Sequence, residues 1–117
     1  MLDVGCGEGR HIFGVMQEYP NIKCTGLDMD DKSLEKAREG YEYFESLSNV
    51  GANFTKGSAY ALPFEDNFFD LILCSEVLEH LHEYNDAVKE IHRVLKPGGK
   101  FYACLLYTSD AADDTLC

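Results

Sequence analysis

The run Leu2-Asp3-Val4-Gly5-Cys6-Gly7-Glu8-Gly9 constrains this chain more than any other feature. A short apolar segment leads into three alternating glycines. Beyond them Ile12, Phe13, Met16 and Tyr19 recur at helical spacing until Pro20 stops the pattern. Strand, glycine loop and helix, in that order, make a nucleotide-binding turn. Glycine allows positive φ, and without a Cβ it lets a ligand come close to the backbone. About 20 residues after the loop, Asp28 closes a second strand-like run, residues 22–28. A carboxylate at that spacing can accept hydrogen bonds from ribose hydroxyls. Its other reading is a helix cap or a loop carboxylate.

The rest of the chain alternates between two periodicities. Asp30 or Asp31 can cap the next helix, whose inner face would be Leu34, Ala37, Tyr41 and Phe44. Residues 52–57 form a third strand candidate and residues 68–75 a fourth. In the fourth, Phe69, Leu71, Ile72, Leu73 and Cys74 are almost unbroken apolar, which fits a parallel strand covered on both faces. Asn85 can cap a helix carrying Ala87, Val88, Ile91, Val94 and Leu95 on one side, and Lys96-Pro97-Gly98-Gly99 ends it. A fifth strand begins at Lys100. Strands alternating with helices imply βαβ units, hence one α/β domain with a doubly wound parallel sheet.

Composition excludes several classes. Twenty-one acidic residues against 10 basic give a formal net charge of -11, which repels polyanions, so nucleic acid and anionic membranes are not expected as partners. No apolar run approaches the roughly 18–20 residues of a membrane span, and no signal peptide is visible, so a cytoplasmic location is expected. The five cysteines contain no CxxC pair, which suggests neither a disulfide framework nor a zinc site. Cys24 and Cys74 lie in strand-like runs and read as small buried hydrophobes.

The loop also narrows the nucleotide. A dinucleotide fingerprint needs glycine at the sixth place of Gly-x-Gly-x-x-Gly, where this chain has Arg10. Asp3 before the loop and Glu8 within it would repel a pyrophosphate. They suit S-adenosyl-L-methionine, which has no phosphate and carries an ammonium and a sulfonium.

With these residues in place, the chain resembles the class I S-adenosyl-L-methionine-dependent methyltransferases, in particular those with a compact, type-11-like domain. Residues 2–9 are similar to the family's first motif and Gly26-Leu27-Asp28-Met29 to its second. Gly57-Ser58-Ala59, Leu62-Pro63-Phe64 and Phe69-Asp70 resemble the third region, and Arg93-Val94-Leu95-Lys96-Pro97-Gly98-Gly99 the approach to the fifth strand. The resemblance implies a Rossmann-like sheet in strand order 3-2-1-4-5, with the family's last two strands missing. It implies that Asp28 holds the ribose and Met29 packs on the adenine. Ser58 stands where the family usually has Asp beside the adenine amino group, so it offers a hydrogen bond without charge. The Ala59 amide is unaffected by that change. Asp3, Gly5, Cys6, Gly7, Gly9 and Cys74 complete the expected cofactor-binding set. The implied activity is methyl transfer to a small-molecule or lipid-type acceptor, with S-adenosyl-L-homocysteine as product.

Methyl transfer asks mainly for alignment, because the sulfonium is already activated. Where a base is needed, His80 is the catalytic candidate, in the segment Ser75-Glu76-Val77-Leu78-Glu79-His80 that follows the fourth strand. A structural histidine is the competing reading. Glu76 either lines the methionine end of the cofactor or is a solvated loop acid. His80 and His82 lack a clear third ligand, so no metal is expected. Cys6 has no evident histidine partner and reads as a small loop residue rather than a nucleophile. Two other functions stay open: a nicotinamide-dependent oxidoreductase, against which Arg10 argues, and a non-catalytic module or partner subunit that keeps the fold.

Residues 104–117 stand apart. Cys-Leu-Leu-Tyr-Thr-Ser-Asp-Ala-Ala-Asp-Asp resembles the translation of a transposase-based sequencing-library adapter. The expectation is a native domain over residues 1–103, a non-native tail, and a gene fragment of metagenomic origin, truncated at both ends and weak or inactive by itself. Without Asp110, Asp113 and Asp114 the charge goes from -11 to about -8, so the acidic reading survives.

Overall fold

The structure, a computed structural model, describes residues 1–75 and 83–104. Along the chain run β1 (Leu2–Val4), α1 (Arg10–Glu18), β2 (Cys24–Asp28), α2 (Asp31–Phe44) with a 3-10 turn (Glu45–Leu47), β3 (Ala52–Lys56), β4 (Phe69–Ser75), α3 (Tyr84–Val94) and β5 (Leu95–Cys104). The five strands form one sheet in the order β3-β2-β1-β4-β5, and every pairing is parallel. The α/β class and the 3-2-1-4-5 order are as the motifs imply.

Two buried clusters explain why the chain folds this way. Ile12 and Met16 of α1, Leu34 and Ala37 of α2, and Cys6, Cys24 and Phe54 form one. Leu2, Val4, Leu27, Ile72 and Cys74 meet Ala87, Ile91 and Val94 of α3 in the other. Successive strand residues face opposite sides, so β1 sends Leu2 and Val4 to the α3 cluster while Met1 joins the α1–α2 cluster. Each fully buried aliphatic chain contributes about 1.5–3 kcal/mol.

Several boundaries differ from expectation. Of the two candidate caps for α2, Asp30 is the one used: its carboxylate accepts from the Ser33 N–H (3.0 Å) and hydroxyl (2.7 Å). The second strand starts at Cys24 rather than Ile22, because the Ile22 N–H is spent on a turn bond to the Tyr19 carbonyl. Tyr19 does not join the inner face of α1. It follows the last helical residue and is 61% exposed. Helix α3 is capped by Glu83 rather than Asn85. The Glu83 carbonyl takes the Asp86 and Ala87 N–H groups, leaving Asn85 inside the first turn. The fifth strand starts at Leu95, not Lys100. Phe69 pairs with Leu95 and Leu71 already with Lys100, so residues 96–99 loop out of the ladder, helped by Gly98 at φ 83°. Among the described residues no helix is long and apolar enough to cross a membrane. Residues 105–117 lie outside the described residues.

Candidate functional site at the carboxyl edge of the sheet

Parallel strands bring their carboxyl ends to one edge. In the order 3-2-1-4-5 the connections reverse direction at β1 and β4, and the crevice outside those two strands is where open α/β sheets take ligands. The glycine loop sits there. Gly5, Gly7 and Gly9 have φ of 78°, 57° and 90°. The Gly5 and Cys6 N–H groups both donate to the Leu27 carbonyl, at 2.7 and 2.9 Å, folding the loop over the end of β2. Only open space lies within 4 Å of where a Gly7 Cβ would be, so glycine there serves backbone conformation and leaves room outside. Gly26 is the opposite case. A Cβ there would stand 2.7 Å from Cys6 Sγ and 2.9 Å from Ile12 Cδ1. Its absence lets Cys6 tuck beneath the loop.

Asp28 is the hinge of this arrangement. Its Oδ2 accepts from the Gly7 N–H (2.8 Å) and its Oδ1 from the Asp30 N–H (2.9 Å). Its carbonyl accepts from the Gly57 N–H at 3.1 Å. One residue thus ties the glycine loop, the start of α2 and the turn after β3 together. Met29, beside it, is 61% exposed. In the turn, Ser58 Oγ accepts from the Tyr60 N–H (3.0 Å), the Ser58 carbonyl accepts from Ala61 (3.2 Å), and Ala59 is buried. The serine oxygen therefore already accepts once within the turn, with a second lone pair and its own proton left over.

Asp3 carries a pronounced electrostatic signature. It is 1% exposed, and among the described residues neither carboxylate oxygen has a hydrogen-bond partner. Burial, followed by the nearby Asp28 charge, pushes its pKa up to about 7. Burying a carboxylate without a partner costs several kcal/mol. Cys6 is affected by the same surroundings. Burial first, then Asp3 and Asp28, push its thiol up to about 12, which keeps it neutral and removes it as a nucleophile. Its side chain packs in the α1–α2 cluster, so what it presents to the loop exterior is backbone.

The structure brings Asp3, Gly5, Cys6, Gly7, Gly9, Asp28, Met29, Ser58 and Ala59 to one edge. Cys74 reaches that edge opposite Val4 but is 1% exposed and belongs to the α3-side core. Glu76, His80 and His82 lie outside the described residues. A cleft of about 780 Å³ runs from the loop at Gly5, Cys6 and Gly7 along α1, past Phe13 and Gln17, to Ser33 and Phe44 of α2; Asp3, Asp28, Met29, Ser58 and Ala59 do not line it. Another cavity, about 570 Å³, lies at the amino edge of the sheet, and none of the expected site residues lines it. Sequence reasoning missed two features: the packing role of Gly26, and the pair Glu90 and Arg93. The pair's signal was available, since opposite charges three apart on a helix face one another.

The family described as "Methyltransferase domain" matches residues 2–103. The chain is 38% identical over 101 residues to the demethylmenaquinone methyltransferase of Lactococcus lactis, covering 86% of this chain and 39% of that protein. It is 35% identical over 114 residues to the sterol 24-C-methyltransferase of Aspergillus fumigatus, covering 97% and 29%. Among solved structures, the [4+2]-cyclase SpnF superposes with a TM-score of 0.84 at 32% identity, covering 94% of this chain and 39% of that one. A SAM-dependent methyltransferase from Methanosarcina mazei superposes with a TM-score of 0.80 at 26% identity, covering 92% and 52%. The chain thus spans less than two fifths of the curated relatives it matches. A glycine loop over an unpaired buried acid, on a 3-2-1-4-5 sheet that this family matches almost end to end, makes the chain a member of the methyltransferase-domain family, with the Rossmann-like class I fold.

Proposed function

We propose that this chain is the S-adenosyl-L-methionine-binding part of a methyltransferase acting on a small-molecule or lipid-type acceptor. The observation that carries the reading is Asp3, a buried carboxylate without a partner among the described residues, next to a glycine loop with open space over Gly7. The residues fit that cofactor. In this reading Asp3 faces the cationic methionine end, and the loop backbone lets the ligand lie close. Asp28 accepts from the ribose through lone pairs not used by Gly7 and Asp30. Met29 covers the adenine, and Ser58 and Ala59 border its edge. Bound S-adenosyl-L-methionine supplies a methyl group already activated on sulfur. The protein's contribution is to exclude water and hold the donor in line with the acceptor.

The acceptor class rests on the relatives, named for demethylmenaquinone and sterol, and on the acidic surface, which disfavours nucleic acid. His80 is the candidate base for an acceptor that must lose a proton. The fold also occurs in a [4+2]-cyclase, so a chain that binds the cofactor without transferring methyl is the second reading.

Calorimetric titration tests the assignment. S-adenosyl-L-homocysteine should bind and NADH should not. Asp28→Ala should weaken S-adenosyl-L-homocysteine at least about a hundredfold, the equivalent of two charge-assisted bonds at about 1.5–3 kcal/mol each. NADH binding, or an Asp28→Ala protein that binds as wild type does, overturns the reading.

A further inference from the structure

We propose that Arg93 of α3 is a positioning residue for the adenine end of the cofactor site, acting through residues 62–66. The proposal rests on the cofactor reading above. Arg93 lies outside the carboxyl-edge set, yet all five N–H groups of its guanidinium are used. Nη2 donates to the Leu62 carbonyl (2.9 Å), and Nη1 donates to the Phe64 carbonyl (2.9 Å) and to Asp66 Oδ1 (2.8 Å). Nε donates to Glu90 Oε2 (2.8 Å), and Glu90 Oε1 accepts from Nη2 (3.0 Å) and from the Leu62 N–H (2.8 Å).

Both backbone groups of Leu62 are therefore held by one acid–base pair on one helix. A planar fork with fixed donors can do this, and a lysine cannot. Leu62 is 4% exposed and shares a buried cluster with Ala59. Between them lies the tight turn in which Ser58 takes the Tyr60 and Ala61 N–H groups. On its other side the turn is fixed where Gly57 packs against Leu27 and Pro63 and donates to the Asp28 carbonyl. Tyr60 adds a third tie to α3, its hydroxyl accepting from the Glu83 N–H at 3.3 Å. The turn proposed to border adenine is thus set from one end by Asp28 and from the other by Arg93 and Glu90. With the second anchor gone, Ser58 and Ala59 lose their fixed distance to the base while the ribose and methionine contacts stay.

That asymmetry gives a readout a merely structural role would not move. The full 117-residue chain is titrated with S-adenosyl-L-homocysteine and with S-inosyl-L-homocysteine, which differs only at the purine edge. In wild type the adenine ligand is expected to bind at least about tenfold more tightly. In Arg93→Lys and Glu90→Gln that preference should fall to about twofold or less. The affinity for the inosine ligand should change by less than about threefold. Amide hydrogen exchange at Ala59, Tyr60 and Ala61 should speed up at least about tenfold in both variants, relative to the amides of Gly7 and Leu27. Arg93→Ala should show the same pattern more strongly. If it does not fold, the Lys and Gln variants are read alone. An unchanged purine preference, with or without a lower Tm, overturns the proposal. Equal loss for both ligands does too. A wild-type chain that binds neither ligand overturns the cofactor reading instead, and exchange at residues 59–61 still reports whether the anchor exists.

Discussion

Two carboxylates in this molecule live under opposite conditions. Asp3, beneath the glycine loop, is buried with no hydrogen bond to either oxygen among the described residues, and its pKa is raised. Glu90, on α3, is held below the usual carboxylate range, chiefly by its hydrogen bond to Arg93, with the Leu62 N–H adding to it. One region carries an unmet charge, and the other meets every demand of its groups. Scaffold regions satisfy local rules, and a region that breaks one at such cost is a candidate ligand site. Substitution at the two acids should therefore have opposite signs for stability.

The largest effect is expected at Glu90. Glu90→Ala removes the acceptor of the Leu62 N–H and two of the five bonds of Arg93, and should lower stability by about 2–3 kcal/mol in urea unfolding. Asp3→Asn should raise stability by about 2 kcal/mol above pH 7, because it removes a desolvated charge and its repulsion with Asp28. The same change should weaken S-adenosyl-L-homocysteine about tenfold or more. If Asp3→Asn destabilises the protein, the acid has a partner and the contrast fails.

The pH dependence separates the two further. Asp3 has its folded pKa, about 7, above the unfolded value near 4. The folded state then holds the extra proton between those limits, so stability falls as pH rises from about 4 to about 7. Glu90 is depressed instead. Its contribution is present above the unfolded value and lost as pH falls through the folded one. Thermal melts from pH 5.5 to 8 should slope downward in wild type and flatten in Asp3→Asn. Affinity for a cationic ligand should rise over the same window. A flat wild-type profile would remove the electrostatic basis of the site.

How much of this was legible beforehand follows from the same physics. The parallel strands and crossing helices follow from apolar periodicity, and the turn before Asp28 from the glycine spacing, whereas the strand order and the places of Ser58 and Ala59 were implied by the family resemblance. The ends of elements were less legible. Helix α3 starts at Tyr84 because a carbonyl rather than the Asn85 side chain accepts the first amides, and β5 starts at Leu95 because a four-residue loop-out still permits pairing. Backbone acceptors leave no mark in a sequence. Nor do long-range side-chain bonds such as those of Arg93, whose carbonyl partners lie about 30 residues away. Asp3 was readable as an acid near the loop. Its lack of a partner was not, since burial and pairing are properties of the packed state.

A third carboxylate sets the scale for the other two. Asp31, at the start of α2, meets Lys56 of β3 at 3.1 Å, with the two side chains 77% and 55% exposed. The contact is as short as many buried ones, but water screens it and two mobile side chains must be ordered to make it. Lys56→Ala should change stability by less than about 0.5 kcal/mol, and 0.5 M salt should erase the difference. A loss as large as that of Glu90→Ala would mean that proximity alone determines what these acids contribute. The distinction drawn between Asp3 and Glu90, in which burial sets the stakes and partners set the sign, would then lose its ground.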